Sequence, residues 1–107
     1  MNLSHRYALS VEIELRYWRG CPSYPEAREL VEDVVDGTAE VRLREVRTQD
    51  EAEELHFPGS PTILVDGRDV DPAGAKGRAM LACRIYRLPG GKISPVPSRE
   101  MLQAAIR

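Results

Sequence analysis

The chain lacks the features that mark several common classes of protein. Two cysteines among 107 residues are too few for a disulfide scaffold or a four-cysteine zinc site. No apolar run approaches the roughly 20 residues that span a bilayer, and the first residues lack the charged-then-apolar order of a signal peptide. The formal net charge of −2 argues against a general nucleic-acid partner. These absences predict a cytoplasmic protein with no nucleic-acid and no membrane partner.

The residues that are present predict one domain. A chain of 107 residues can bury a single core and is too short for two. We therefore expect residues 1–107 to form one unit, in which residues 1–9 show no periodicity and are predicted to be a mobile lead-in. Two cysteines in a cytoplasmic protein are more often reduced, catalytic or redox-active than structural.

Hydrophobic periodicity predicts an α/β fold. The alternating segments before and after the first helix predict a parallel pair of strands, since a strand–helix–strand unit crosses over right-handedly. Asp66-Gly67 lies between two β-prone runs and predicts a two-residue hairpin turn. The fold class is thus a four-stranded mixed sheet, two parallel strands plus a β-hairpin, flanked by three helices, with an excursion at about 71–97. The predicted strands are 11–17, 39–46, 62–65 and 68–70, and the predicted helices are 26–35, about 48–55 and 99–106.

The first two strands carry charged faces. Glu12 and Glu14 alternate with apolar residues in the first strand, and Arg42 and Arg44 do so in the second. We expect these charges to pair laterally, each pair contributing about 0.2–1 kcal/mol. Because parallel sheets are normally covered on both faces, the pattern predicts a thin cover or a partner surface on this side.

Cys21 lies at the junction between the first strand and the first helix. Pro22 follows it and is predicted to occupy the first helical position, where its missing N–H costs nothing. The unpaired N–H groups and positive dipole of a helix start favour thiolate over thiol, so we expect a lowered pKa for Cys21. The alternative is a small apolar residue at a turn.

Four motifs in order carry a family resemblance. They are Gly20-Cys21-Pro22-Ser23, Gly59-Ser60-Pro61-Thr62-Ile63, the run from Val65 to Pro72, and Cys83-Arg84-Ile85-Tyr86. With the β-α-β-α-β-β-α order, the chain resembles the thioredoxin-like superfamily, and more closely a group of small bacterial thioredoxin- and glutaredoxin-like proteins.

The resemblance implies roles for particular residues. It implies that Cys21 is an exposed catalytic nucleophile and that Pro61 is a cis-proline lying against it. It also implies that the loop bearing Ser60 offers backbone hydrogen bonds to an extended substrate or to glutathione. Pro22 and Tyr24, which follow the cysteine in the same loop, complete the expected substrate-binding residues.

One departure from the family pattern changes the expected chemistry. Tyr24 stands where the second cysteine of Cys-X-X-Cys would be, so no local dithiol can form. An attacked disulfide would leave Cys21 as a mixed disulfide that glutathione, as co-substrate, or another thiol must resolve. Cys83 is the candidate internal resolving thiol, because the hairpin sends the excursion toward the end of the sheet that carries Cys21. The alternative is that Cys83 is a buried apolar residue.

Several readings remain open from the sequence. A monothiol-type thiol-disulfide oxidoreductase acting on a small substrate or a partner protein competes with a non-catalytic binding module that lost the cysteine pair. Two thiolates could also hold one soft metal ion, although Cys21, Cys83, His5 and His56 show no zinc-site spacing, and no resident metal or cofactor is predicted. Tyr24 either packs or hydrogen-bonds the Cys21 thiolate, and a homodimer is left open.

Overall fold

The computed structural model describes residues 11–106, which form a four-stranded mixed sheet, a separate two-stranded hairpin and three helices. The predicted lead-in over residues 1–9 and His5 lie outside the described residues. The strands are β1 (Ile13–Tyr17), β2 (Val41–Glu45), β3 (Thr62–Val65), β4 (Arg68–Asp69), β5 (Tyr86–Arg87) and β6 (Ile93–Ser94), and the helices are α1 (Tyr24–Val35), α2 (Gln49–Leu55) and α3 (Arg99–Ile106).

The sheet has the strand order β2-β1-β3-β4. β1 pairs with β2 in parallel and with β3 in antiparallel, so Leu15 lies opposite Leu43 on one side and Ile63 on the other. β3 and β4 form the predicted antiparallel hairpin. The predicted α/β architecture, with three helices and a mixed sheet containing one parallel pair, is therefore confirmed, and the excursion contains the β5–β6 hairpin.

The main core lies between the sheet and the helices α1 and α3. Ile13 and Leu15 of β1 are buried against Ala27 and Val31 of α1 and Leu102 of α3. Alternation in a strand and the 3.6-residue period of a helix place these apolar side chains on facing surfaces. Each fully buried aliphatic side chain contributes about 1.5–3 kcal/mol to folding. This core fixes the end of β1, from which the first cysteine loop departs.

The opposite face of the sheet is thinly covered, as its charge pattern predicts. The short α2 contributes to a second, smaller cluster made of Val46, Ala52 and Phe57, with Trp18 packed against it. Beyond that cluster, a groove of about 390 Å³ runs along charged side chains of β1 and β2.

One of the two predicted lateral ion pairs is present. Arg42 lies 3.6 Å from Glu12, as expected. Glu14 instead pairs with Arg16 of its own strand at 2.9 Å, and Arg44 reaches Glu51 of α2 at 3.5 Å. The predicted pair between Glu14 and Arg44 is wrong, because each of these residues forms an ion pair with a different residue.

The predicted position of Pro22 in the first helical turn is wrong. The backbone N–H of Cys21 donates to the carbonyl of Trp18 at 2.9 Å, which closes a turn before the helix. α1 consequently begins at Tyr24, with Ser23 as its N-cap and Pro25 in its first turn. Cys21 thus lies two residues before the N-cap.

Local turn and cap signals are confirmed. Asp66 and Gly67 have φ values of 52° and 81°, as the two-residue hairpin requires. Thr48 caps α2 by accepting from the N–H of Glu51 at 3.0 Å, and Ser98 caps α3 in the same way. Within residues 11–106, no helix is long and apolar enough to cross a membrane.

Candidate functional site

Cys21 is buried beneath the excursion. This residue is 1% exposed, so the exposed position that the family resemblance implied is wrong. Residues 82–84, called here the covering segment, pair with Ser60 in a parallel bridge. The covering segment brings Cys83 next to Cys21, at the end of the sheet from which the hairpin predicts the excursion to leave. Both cysteines are free thiols.

Ser60 is the residue that the two cysteines share. The Cys21 thiol donates to the Ser60 carbonyl at 3.4 Å, an acceptor that favours the protonated sulfur. The Ser60 hydroxyl accepts from the N–H of Trp18 at 3.0 Å, which leaves its own hydrogen for the Cys21 sulfur. Ser60 therefore accepts a hydrogen bond from the Cys21 thiol through its carbonyl and can donate one to the Cys21 thiolate through its hydroxyl.

Hydrogen bonds make Cys21 the more acidic thiol. Burial, the largest single influence, raises the pKa of Cys21, but hydrogen bonds from Ser60, Ser23 and Cys83 together outweigh it and lower that pKa. These donors come from three places: Ser23 lies in the Cys21 loop, Cys83 in the covering segment, and Ser60 in the loop that precedes β3. The lowered pKa expected from the sequence is thus present, and specific donors cause it.

Cys83 shifts in the opposite direction. Burial, followed by the hydrogen bond to Cys21 and the charge of its thiolate, raises the pKa of Cys83. Yet Cys83 is exposed, so the alternative of a buried apolar residue is wrong. Of the two thiols, Cys21 is therefore the one that ionises first, with the Cys83 thiol as a hydrogen-bond donor to its sulfur.

The backbone groups of Ser60 are occupied by the chain itself. The Ser60 N–H donates to the carbonyl of Ala82 at 2.7 Å, and the Ser60 carbonyl accepts from the N–H of Arg84 at 2.9 Å. The resemblance implied that these groups would bind a substrate. In this structure the covering segment uses both.

Gly59 has no side chain, and this allows the covering segment to lie close to the loop that carries Ser60. Gly59 has a φ of +124°, and a Cβ at that position would lie 2.8 Å from Cβ of Arg84 and 3.2 Å from the Cys83 carbonyl. The first contact is too short for real atoms to tolerate without a shift, and the second is tighter than most real contacts. Gly59 is therefore required both for its backbone conformation and for the space above it.

A buried ion pair anchors the covering segment to the sheet. Arg84 contacts Asp69 at 2.9 and 3.3 Å, with the two side chains 4% and 6% exposed. Arg84 also donates to the Thr62 hydroxyl at 3.0 Å and lies over the ring of Tyr86, 4.3 Å from its centroid. The bidentate geometry satisfies a charge that would otherwise be costly to bury.

Tyr86 fixes the proline loop from the same side. Its hydroxyl donates to the carbonyl of Pro61, which is itself fully buried and follows a cis peptide bond at Ser60. Burial raises the pKa of Tyr86, so its hydroxyl remains a donor. Pro61 lies at the site, as expected, but beneath the covering segment.

The remaining residues predicted from the sequence have other surroundings. Tyr24 stacks on Tyr17, with ring centroids 4.3 Å apart, which supports packing over a hydrogen bond to the thiolate. Pro22 is exposed. His56 ends α2 with a φ of 53°. Among residues 11–106, no group of three or more His, Cys, Asp or Glu side chains is placed to hold a metal ion.

Sequence reasoning gave no role to Arg84, Asp69 or Tyr86. The segment from Cys83 to Tyr86 alternates, but its buried face carries Arg84 and Tyr86 while Cys83 and Ile85 face outward. An arginine in an alternating segment is ordinarily assigned to solvent. The available signal was the run Asp69-Val70-Asp71, which supplies an acidic partner before the excursion.

Comparison of the chain with protein-family models, curated proteins and solved structures gives no match. The residues of the site themselves supply its chemistry. Two free thiols of unequal acidity lie side by side, one buried and one exposed, next to a cis-proline loop.

Proposed function

We propose that this chain is a thioredoxin-like thiol protein that performs thiol–disulfide exchange through Cys21 and Cys83. The observation that carries the proposal is the placement of two free thiols within hydrogen-bonding reach of each other. The cysteine at the junction of β1 and α1 and the proline before β3 support the thioredoxin-like assignment. So does the β2-β1-β3-β4 sheet order.

The proposed reaction interconverts a dithiol and an intramolecular disulfide. A disulfide substrate R–S–S–R takes two electrons from the pair and leaves as two R–SH molecules, while a bond forms between Cys21 and Cys83. Glutathione or another low-molecular-weight thiol then returns the pair to the dithiol. The missing second cysteine of the local motif is replaced, in this proposal, by Cys83.

The environment of the pair suits this exchange. The donors around Cys21 lower its pKa and so raise its thiolate fraction, and the thiolate is the attacking species in disulfide chemistry. The exposed Cys83 gives the pair a route to solvent. On the loop-entropy model, a link between positions 21 and 83 would stabilise the oxidised chain by about 4 kcal/mol.

The same pair of thiols supports a second candidate, a soft-metal-binding protein. Two adjacent thiolates suit a linear site for Cu⁺ or Hg²⁺, which needs no third ligand. Under this alternative the cysteines would bind metal without forming a disulfide, and metal binding would require both of them. A third reading, a binding module without catalysis, predicts neither activity.

Oxidation and turnover test the proposal together. The chain is treated with excess hydroxyethyl disulfide, and its intact mass is followed before and after glutathione is added. We expect the wild type to lose two hydrogens, to regain them, and to turn over at least about tenfold faster than Cys21→Ser or Cys83→Ser. The double variant gives the background rate.

Failure has a definite form in this experiment. A folded wild type that never loses two hydrogens, or whose turnover equals that of the double variant, contradicts the exchange reaction. Tight Cu⁺ binding that both single variants abolish would then favour the metal-binding candidate. Fluorescence of the single tryptophan, Trp18, reports whether each variant is folded.

A further inference from the structure

The two thiols differ in accessibility. Cys21 is 1% exposed, whereas Cys83 faces solvent. A disulfide could reach Cys21 only if the covering segment gave up both of its backbone hydrogen bonds to Ser60. It would also have to withdraw the buried guanidinium of Arg84 from Asp69. A reagent that meets the folded chain therefore meets Cys83 first.

A groove of about 490 Å³ opens beside Cys83. Its lining includes Pro58, Met80 and Ile85, and the residues Met80 and Ile85 are 41% and 56% exposed. Single exposed apolar residues are ordinary, but several around one reactive group are typical of a ligand surface. Met80 adds a flexible thioether that adapts to irregular apolar groups.

The charges along this groove cancel. Arg84 is neutralised by its buried contact with Asp69. The remaining charged side chains of the lining, Asp71 and Arg87, have opposite signs. The lining thus offers apolar contact and no net charge, which suits an uncharged occupant with apolar substituents.

We propose that small, uncharged organic disulfides bind in this groove and react first at Cys83, and that Cys21 acts second as a buried resolving thiol. This inference rests on the proposed function, and it reverses the roles that the family resemblance implied for the two cysteines. Extended polypeptide substrates are disfavoured, because the covering segment already occupies the backbone groups of Ser60.

The reaction balances in three steps. The Cys83 thiol passes its proton to the Cys21 thiolate, and the new Cys83 thiolate attacks R–S–S–R, so that Cys83–S–S–R forms and RS⁻ leaves. The leaving RS⁻ takes the proton from Cys21. The restored Cys21 thiolate then attacks the sulfur of Cys83, which breaks the bond to R, forms Cys21–S–S–Cys83 and releases a second RS⁻ that solvent protonates.

Single-cysteine variants and dipyridyl disulfide test the order of reaction. Released pyridinethione is measured by absorbance, and adducts are measured by intact mass. Cys21→Ser should release one equivalent and keep a stable adduct on Cys83, while the wild type should release two and keep none. Cys83→Ser, with Cys83→Ala as a second variant, should react at least about tenfold more slowly than Cys21→Ser. Its remaining thiol, Cys21, is buried and can react only after local opening.

A matched pair of surface substitutions tests the groove. In the Cys21→Ser background, Ile85→Glu places a charge in the apolar lining and should slow adduct formation by about fivefold or more. Ile93→Glu is the control, since Ile93 is 60% exposed on β6 and does not line the groove. The control should react at the rate of its parent.

The outcomes separate this inference from the proposed function. If Cys83→Ser reacts as fast as Cys21→Ser while the wild type still closes its disulfide, Cys21 meets the reagent first, and the order proposed here is wrong. Equal slowing of adduct formation by Ile85→Glu and Ile93→Glu would show that the disulfide does not bind in the groove. A wild type that keeps a single adduct and never closes would instead refute the exchange function itself.

Discussion

Replacing Asp69 with Asn tests whether the buried ion pair holds the covering segment on the sheet. Asn keeps the size of the side chain but removes its charge, which leaves the guanidinium of Arg84 buried without its counter-charge. Breaking a buried pair in this way costs about 3–5 kcal/mol. The side chains concerned are 4% and 6% exposed, so solvent screens little of this effect.

A neighbouring carboxylate places the expected loss near the lower end of that range. A Cβ built on Gly74 would lie 2.7 Å from Oδ2 of Asp71 and 2.9 Å from Nη2 of Arg84, so the two groups flank the same point. Asp71 can therefore supply part of the missing negative charge. We expect Asp69→Asn to lower the free energy of unfolding by about 3 kcal/mol, a large share of the 5–15 kcal/mol typical of a domain.

Urea unfolding, followed by the fluorescence of Trp18, measures this loss. The midpoint should fall while the slope of free energy against urea stays unchanged, as expected for a stability change without a change in exposed surface. In the double variant Asp69→Asn/Arg84→Met, an apolar side chain replaces the buried charge. Part of the lost stability should return, because this double variant no longer buries an unpaired charge.

An exposed pair of the same chemistry provides the control. Arg99 and Asp33 link α3 to α1, with side chains 47% and 64% exposed. Asp33→Asn should cost less than about 1 kcal/mol, because surface pairs contribute little. If Asp69→Asn costs no more than Asp33→Asn, burial of the Arg84 pair does not anchor the covering segment, and the reasoning fails.

Two further predictions concern the thiols and the glycine beneath the covering segment. In a pH titration followed by the ultraviolet absorbance of thiolate, the first ionisation should have its midpoint below about pH 8.5, the pKa of an ordinary cysteine, because hydrogen bonds lower the pKa of Cys21. This first step should be absent in Cys21→Ser. A first step at or above that value would contradict the hydrogen-bond argument. Gly59→Ala should lower the midpoint of thermal unfolding more than Gly67→Ala does, although both glycines have a positive φ. At position 59 a Cβ would lie 2.8 Å from Cβ of Arg84, whereas at position 67 no atom lies within 4 Å of the added Cβ. A positive φ costs an alanine about 1–3 kcal/mol at either position, so equal thermal midpoints would show that the covering segment shifts to accommodate the added Cβ at little cost.

The local features of the fold were predictable because neighbouring residues determine them. Asp66-Gly67 requires positive φ at adjacent positions, and Thr48 and Ser98 each cap a helix a few residues away. Periodicity likewise indicates which residues of β1 and α1 face the core. The first turn of α1 was misassigned because a hydrogen bond from Cys21 to Trp18, invisible in the pattern, delays the helix.

The sequence by itself determined that Cys21 stands at a strand–helix junction and that the excursion bearing Cys83 leaves from the same end of the sheet. Only the tertiary structure decided that Cys21 is buried and Cys83 exposed. That outcome depends on Arg84 finding Asp69, 15 residues away, and on the covering segment pairing with Ser60. A charged side chain can be buried without a large cost only when a partner such as Asp69 pairs with it. Local sequence patterns do not show whether a partner distant in sequence comes into contact.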